Sequence, residues 1–382
     1  MQLIYDTSVL NEFCKVWAEK DFVAVDLEFV REKTYYAIPC LIQVAAGDEA
    51  AVIDPMAPDL DMKEFFKLLQ NKKVVKVFHS CRQDVEILFR MAGKVPQPIF
   101  DTQVAAMVCG YGESVGYERL VKEVLGVEID KTECLSNWQL RPLNKKQLEY
   151  ACGDVTYLVQ LYQSLRNLLK TMKREDWIKE EMAYLSNPQT YQFCPEEMWQ
   201  KIKFKSHNAK ALSNLRDLAA WREKRAQEKN VPRPSVVKDD LLAIIAIAAP
   251  KNKDELMQIR GMRRDFAFGK LGDEVLAVLE KVKVDKKIAK PSEKEEIKAC
   301  HNLAEILKLL LKIVSQEQGV VARLVATDTD ILRLAAFDDK NNPVLQGWRY
   351  EVFGKSAQAL REGKTAIVFN PKNKKIEFVE QI

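Results

Sequence analysis

A chain of 382 residues is longer than one hydrophobic core usually organises, and it has room for a large domain with one or two small ones. Its 47% hydrophobic and 30% charged residues exclude a disordered protein, and eight cysteines without a Cys-x-x-Cys pair, beside three histidines, exclude a zinc site or a histidine-based triad. The net charge of +4 hides a division, −7 over residues 1–200 and +11 over residues 201–382, which fits either a solvated helical surface or a polyanionic partner such as nucleic acid.

Residues 1–10 include an acid and lack the basic segment of a secretion signal. The longest apolar run, 241–250, falls short of the roughly 18 residues of a membrane span. A cytoplasmic location is expected, with the cysteines as small buried thiols in a reducing compartment. Alternation predicts strands over 22–28, 40–46 and 51–54, an antiparallel meander with Gly47-Asp48 at a turn. Helical spacing over 62–69, a strand over 74–79 and a helix over 84–91 then require at least one parallel crossover. Helices are predicted over 101–109, 117–125 and 144–169, the last capped by Asn144. Residues 1–190 are thus expected to form an α/β domain, a mixed sheet with helices on both faces.

The stretch 186–195, with two prolines, is a linker by composition. Beyond it, a helix over 211–226, a short buried helix over 241–249, another helix over 254–259, an extended break at Val231-Pro232-Arg233-Pro234 and a stop at Gly261 describe a small α-helical module over 206–285. A charged linker over 284–296 precedes a third, mainly helical module over 296–382. It has helices over 297–314 and 348–360 and a hairpin, 365–369 with 376–379, around Asn370-Pro371-Lys372-Asn373.

Two acids close the strand 22–28. Asp26 and Glu28 project from one face at neighbouring pleats, where they repel unless a cation lies between them; the alternative is a strand end entering a polar loop. Asp84 stands where a strand gives way to a helix, where an acid taken alone is a helix cap or a first-turn residue interacting with the helix dipole. Tyr150 and Asp154 are one turn apart on a helix face among apolar residues, with no basic residue at 147, 151, 157 or 158 to compensate the acid. Together these side chains describe a two-metal nuclease. Asp26, Glu28 and Asp154 hold one divalent ion, and Asp84 helps to place a second that shares Asp26. Tyr150 orients water, since a phenol titrates too high to act as a base near neutrality. Oxygen ligands alone suit magnesium or manganese.

The pattern Asp26-x-Glu28, Asp84, Tyr150-x-x-x-Asp154 resembles the DEDD exonuclease superfamily, tyrosine subtype. The surrounding residues are similar to its ribonuclease D family: Val25 to Arg31, Thr34-Tyr35-Tyr36, Leu41-Ile42-Gln43, Phe100-Asp101-Thr102-Gln103, Asp130-Lys131-Thr132-Glu133 and Trp138 with Arg141-Pro142-Leu143. Leu218, Trp221-Arg222, Pro232, Leu241-Leu242 and Pro250 resemble an HRDC module, and Gly347-Trp348-Arg349 with Phe353-Gly354 a second, divergent one. The resemblance implies hydrolytic 3′-5′ removal of nucleotides as 5′-monophosphates from structured RNA such as transfer RNA precursors, with two divalent ions and no obligate protein partner. Leu27, Phe29, His79 and Tyr150 are then candidates for substrate contact, against core packing for Phe29 and a satisfied strand-end histidine for His79. Trp221, Arg222, Lys201, Lys203 and Lys205 are candidates for phosphate contact or ordinary surface and core. A DNA exonuclease with the same acids, or a non-catalytic RNA-binding scaffold, are the competing readings.

Overall fold

Strands β1 (Gln2–Ile4), β2 (Phe22–Val30), β3 (Ile38–Ala46), β4 (Glu49–Ile53), β5 (Val75–Phe78) and β6 (Ile99–Asp101) form one sheet in the order β1-β4-β3-β2-β5-β6. The computed structural model describes residues 2–129, 133, 136–288 and 300–380. β3 and β4 pair antiparallel across the expected turn. β2 pairs parallel with β5, as the predicted crossover requires, and β5 also pairs parallel with β6. The sheet is therefore mixed, with the two-acid strand near its middle.

Around the sheet lie helices α1 (Thr7–Ala18), α2 (Lys63–Gln70), α3 (Arg82–Ala92), α4 (Thr102–Val108), α5 (Tyr117–Leu125), α6 (Lys145–Thr171) and α7 (Glu175–Leu185). The longest, α6, begins with a capping box in which Asn144 accepts from the Gln147 backbone and the Gln147 side chain accepts from Asn144. It buries Ala151, Val155, Leu158, Leu165 and Leu169, the apolar stripe that fixes its rotation. α3 ends at Gly93, whose φ of 70° is the left-handed conformation that a helix stop favours. One expected boundary is corrected: Asp101 ends β6 and caps α4, so the helix over 101–109 starts one residue later. Of these elements β1, β6, α1 and α7 were not predicted.

The chain divides into two units, one of Met1–Glu28, Cys40–Thr190 and Ser292–Ile382, the other of Phe29–Pro39 and Tyr191–Pro291. The basic half of the sequence is consequently not one structural body. In the first unit the C-terminal helices, led by His301–Gln318, are joined to α4 and α7. Trp177 stacks on Trp348 with ring centroids 4.5 Å apart, and Arg349 pairs with Glu181 at 2.8 Å. Arg174 donates to the carbonyls of Val108, Gln318 and Gly319. The expected helix 348–360 is a continuous helical run from Gly347 to Arg361 with a π segment at Tyr350–Gly354, and the terminal hairpin pairs Thr365–Asn370 with Lys375–Glu380.

In the second unit α8 (Ala209–Lys229) is capped by Asn208 and packs on α9 (Arg233–Val236) and α10 (Asp239–Ala248), with α11 (Lys253–Met257), α12 (Arg264–Ala267) and α13 (Lys270–Lys281) completing the module. Two expectations are corrected here. The Pro-Arg-Pro stretch turns helical from Arg233, because prolines at the first positions of a helix give up only N–H groups that would be unpaired. Furthermore, α10 is buried on one side only, with Ile247 59% exposed. The linker residues 289–296, residues 297–299 of the predicted helix, Asp130-Lys131-Thr132, Cys134 and the last two residues lie outside the described residues. Of the remaining cysteines Cys14, Cys40 and Cys81 are buried, Cys109, Cys152 and Cys300 half-buried and Cys194 exposed.

Within this unit the segment Phe29–Pro39 brings Tyr35 into the helical core. Its hydroxyl donates to buried Glu223, which also takes Arg233, and the Tyr36 backbone donates to Asn230 Oδ1 at 3.1 Å. Burial pushes the Glu223 carboxyl up, but the bonds from Arg233 and Tyr35 bring it below the usual carboxylate value. Removing the anion strands a guanidinium, whereas removing the phenol hydroxyl costs one hydrogen bond. Glu223→Ala is therefore expected to destabilise this unit by about 3 kcal/mol and Tyr35→Phe by about 1 kcal/mol. Denaturant unfolding of the two variants measures both, and equal small losses would show that the cluster carries no buried charge.

Candidate active site

β2 and α6 supply the centre of the site. Alternation along β2 puts Asp26 and Glu28 on one face, and the buried stripe of α6 turns Asp154 toward them. One carboxylate oxygen from each of Asp26, Glu28 and Asp154 lies within 4.8 Å of the others, all three residues half-buried. Tyr150, one helical turn before Asp154, hydrogen-bonds its carboxylate. Asp84, in the first turn of α3 and 7% exposed, stands outside this three-acid group but feels the charges of Asp26 and Glu28.

No ion pair reaches any of the four acids among the described residues, and their titration registers it. Burial raises Asp26 to about 7. Burial, then the charges of Asp26 and Asp154, raise Glu28 to about 9. Burial and Asp26 raise Asp154 to about 8, against the bond from Tyr150. Asp84 is raised well above the ordinary value by burial, Asp26, Asp101 and Glu28. Four acids that hinder one another's ionisation form a site short of positive charge, and an all-oxygen donor set fits a hard divalent cation.

Asp26, Glu28 and Asp154 open on a cavity of about 510 Å³ whose wall also includes Leu27, His79, Tyr117 and Tyr150. His79 faces this space with both ring nitrogens engaged, Nδ1 with the Thr102 hydroxyl at 3.0 Å and Nε2 with the Val115 carbonyl at 3.1 Å. Burial lowers its pKa, so the neutral ring is favoured. Phe29 is half-buried and grouped with the second unit, and it is not among the described lining residues.

Three supporting residues were given no role by the sequence, although Asp101 and Arg141 stand among those that carry the resemblance. The Asp101 carboxylate accepts from four backbone N–H groups, of Ser80, Cys81, Gln103 and Val104, at 2.8–3.3 Å. It thereby ties the turn before Asp84 to the start of α4. An acid directly before a helical run is a recognisable cap signal, but the reach back to Ser80 is not readable locally. Tyr117 donates to the Gly153 carbonyl at 3.2 Å, and burial with the charges of Asp154 and Asp26 raises its pKa. Arg141 binds Asp54 through two nitrogens. Of the proposed phosphate contacts, Arg222 is buried and spent on the Val237 carbonyl and Asp239, and Trp221 donates to Glu274. Both therefore have structural partners, while Lys201, Lys203 and Lys205 are exposed.

A family model described as a 3′-5′ exonuclease matches residues 1–170, and an HRDC domain model matches residues 211–279. The chain is 42% identical over 374 residues to a ribonuclease D of Nitrobacter hamburgensis, covering 96% of this chain and 97% of that one. It is 42% identical over 376 residues to a ribonuclease D of Sphingobium indicum, covering 95% of each. Among solved structures it is similar to Escherichia coli RNase D, described as an exoribonuclease involved in structured RNA processing. The TM-score is 0.81 at 28% identity, over 95% of this chain and 98% of that one.

Proposed function

The chain belongs to the ribonuclease D family and is a metal-dependent 3′-5′ exoribonuclease, and from that premise we propose that it trims the 3′ ends of transfer RNA precursors and other structured RNAs. The observation that carries the site assignment is the convergence of Asp26, Glu28 and Asp154, from a strand and a distant helix, to within 4.8 Å. In this reading they hold one divalent cation, magnesium or manganese, and Asp84 with Asp26 holds a second. When bound, the cations supply Lewis acidity that acidifies water and offsets charge building on the scissile phosphate.

The chain's own groups do the rest. With both ions bound, Asp26, Glu28, Asp84 and Asp154 would all be ionised, four negative charges against four positive, so the loaded site would be nearly neutral before the phosphate enters. Tyr150 keeps its hydroxyl beside Asp154 and orients the attacking water. Water adds to phosphorus, the bond to the 3′-oxygen of the preceding nucleotide breaks, and that oxygen takes a proton. The products are a nucleoside 5′-monophosphate and an RNA one residue shorter. Leu27 and the His79 ring bound the space for the terminal nucleotide; Phe29 lies further along the same strand. We assign the exonuclease domain to residues 1–190, an HRDC domain to 206–285 and a second HRDC-like domain to 296–382, with a cytoplasmic location. No helix among the described residues is long and apolar enough to cross a membrane.

A transfer RNA with a 3′ extension and a DNA strand of matched sequence test this reading together. Stepwise shortening of the RNA with magnesium or manganese, stopped by chelator and slower on DNA, is the expected result, since the substrates differ by the 2′-hydroxyl and the thymine methyl. Equal turnover of both, or turnover with chelator present, overturns it.

A further inference from the structure

The residues just before α6, around Trp138 and Leu140, are held to the sheet by the side chain of Arg141. Arg141 has five N–H donors, and all five are used. Nε and Nη2 take the two oxygens of Asp54 at 2.6 and 2.8 Å. Nη2 also donates to the Cys40 carbonyl at 2.9 Å. Nη1 donates to the carbonyls of Trp138 and Leu140 at 2.8 and 2.9 Å. Asp54 is itself buried, follows β4, and accepts from the Met56 backbone at 3.0 Å. One guanidinium therefore pins the residues that lead into α6 to β3 and to the end of β4, with no donor left over.

What those residues carry is Trp138. It is 3% exposed, and its ring lies against Tyr150 with centroids 6.0 Å apart and planes inclined at 35°. The phenol is thus confined on two sides, by the indole on its ring and by the Asp154 carboxylate on its hydroxyl. Asn144 and Gln147 cap the helix only a few residues after Arg141, so the backbone of Tyr150 is already fixed. The remaining freedom is the direction of its side chain, and the Trp138 ring limits that.

We propose that Arg141 is a positioning residue for the reaction, holding Trp138 against Tyr150 so that the phenol hydroxyl keeps its place beside Asp154. The proposal rests on Tyr150 acting in hydrolysis, as argued above. Arg141 touches no reacting atom. A lysine in its place keeps the charge but cannot offer a planar fork to Asp54 and carbonyls on both sides. The tether to the sheet would survive in part, and the placement of Trp138 would not.

A double-mutant cycle on the full chain separates this role from simple support. Arg141→Lys is expected to lower kcat on 3′-extended RNA by about tenfold with KM nearly unchanged, the scale on which small misplacements act. Trp138→Leu should do the same. In a Tyr150→Phe background neither change should lower kcat further. Additive losses in that background, or a loss in Arg141→Lys that tracks a fall in Tm and is recovered at lower temperature, overturn the proposal in favour of a purely structural staple. If Tyr150→Phe alone leaves kcat unchanged, the reading of Tyr150 fails first, and the proposal with it. Should Arg141→Lys fold poorly, Asp54→Asn, which keeps the acceptor oxygen and weakens only the fork, must show the same dependence on Tyr150.

Discussion

Asp26→Asn is expected to reduce turnover of 3′-extended RNA by about a thousandfold or more while changing RNA affinity only a few-fold. Asp26 is the carboxylate that every other acid of the site feels: it raises Glu28, Asp84 and Asp154 by its charge. An amide of the same shape keeps the cavity wall but removes the anion that the two proposed cation positions would share. Losing about 4 kcal/mol of transition-state stabilisation corresponds to a factor near one thousand. RNA affinity is expected to draw instead on phosphate contacts spread over basic surface, each modest. Asp154→Asn should behave alike. Tyr150→Phe should lose about ten- to a hundredfold, since it removes orientation and no metal ligand. Single-turnover rates beside equilibrium binding distinguish the effects, and an Asp26→Asn protein that still turns over at the parent rate would refute the catalytic assignment.

The features behind this expectation differ in how far local sequence announces them. An Asp-x-Glu at the end of an apolar strand and an uncompensated acid on an apolar helix face are both short-period patterns, and side-chain direction follows from period alone. The strand and the helix were therefore legible, and so was the acid pair. Their convergence was expected from the chemistry of the acids taken together and not from any window of residues: that Asp154 comes within 4.8 Å of Glu28 depends on how α6 lies against the sheet. β1 escaped because three residues are too few to display a period, and its place is set by parallel pairing with β4. The segment Phe29–Pro39 reads as a loop of the sheet, yet it belongs with the helical unit through Tyr35 and Glu223, 188 positions apart. Arg141 and Arg174 were opaque for the same reason. A guanidinium that satisfies distant carbonyls leaves no signature in its own neighbourhood.

Without divalent ions, the first unit is expected to lose stability as pH rises from about 5 to 9, and Glu28→Gln is expected to make it more stable than the parent at pH 8. The sign follows from the proton count. In the unfolded chain the acids titrate near 4, whereas in the fold Asp26, Asp154 and Glu28 titrate at about 7, 8 and 9. Between those limits the folded state binds more protons than the unfolded one, so raising the pH favours unfolding. Their contribution is most favourable at and below the unfolded values and is lost progressively up to the folded ones. Replacing Glu28 by its neutral isostere removes one of the obstructed ionisations. It should stabilise the metal-free protein at pH 8 on the order of 2 kcal/mol, allowing for water at these half-buried groups, or about 4 °C in the melting of that unit. Divalent ions reverse the order, because they bind the deprotonated parent and compete with protons. Magnesium or manganese should raise the parent's Tm more at pH 8 than at pH 6 and raise that of Glu28→Gln little at either. Thermal melts with chelator and with metal, at both pH values, read all of this. A parent whose metal-free Tm is flat across the range would mean that its acids ionise independently, and a common cation could not then be what brings them together.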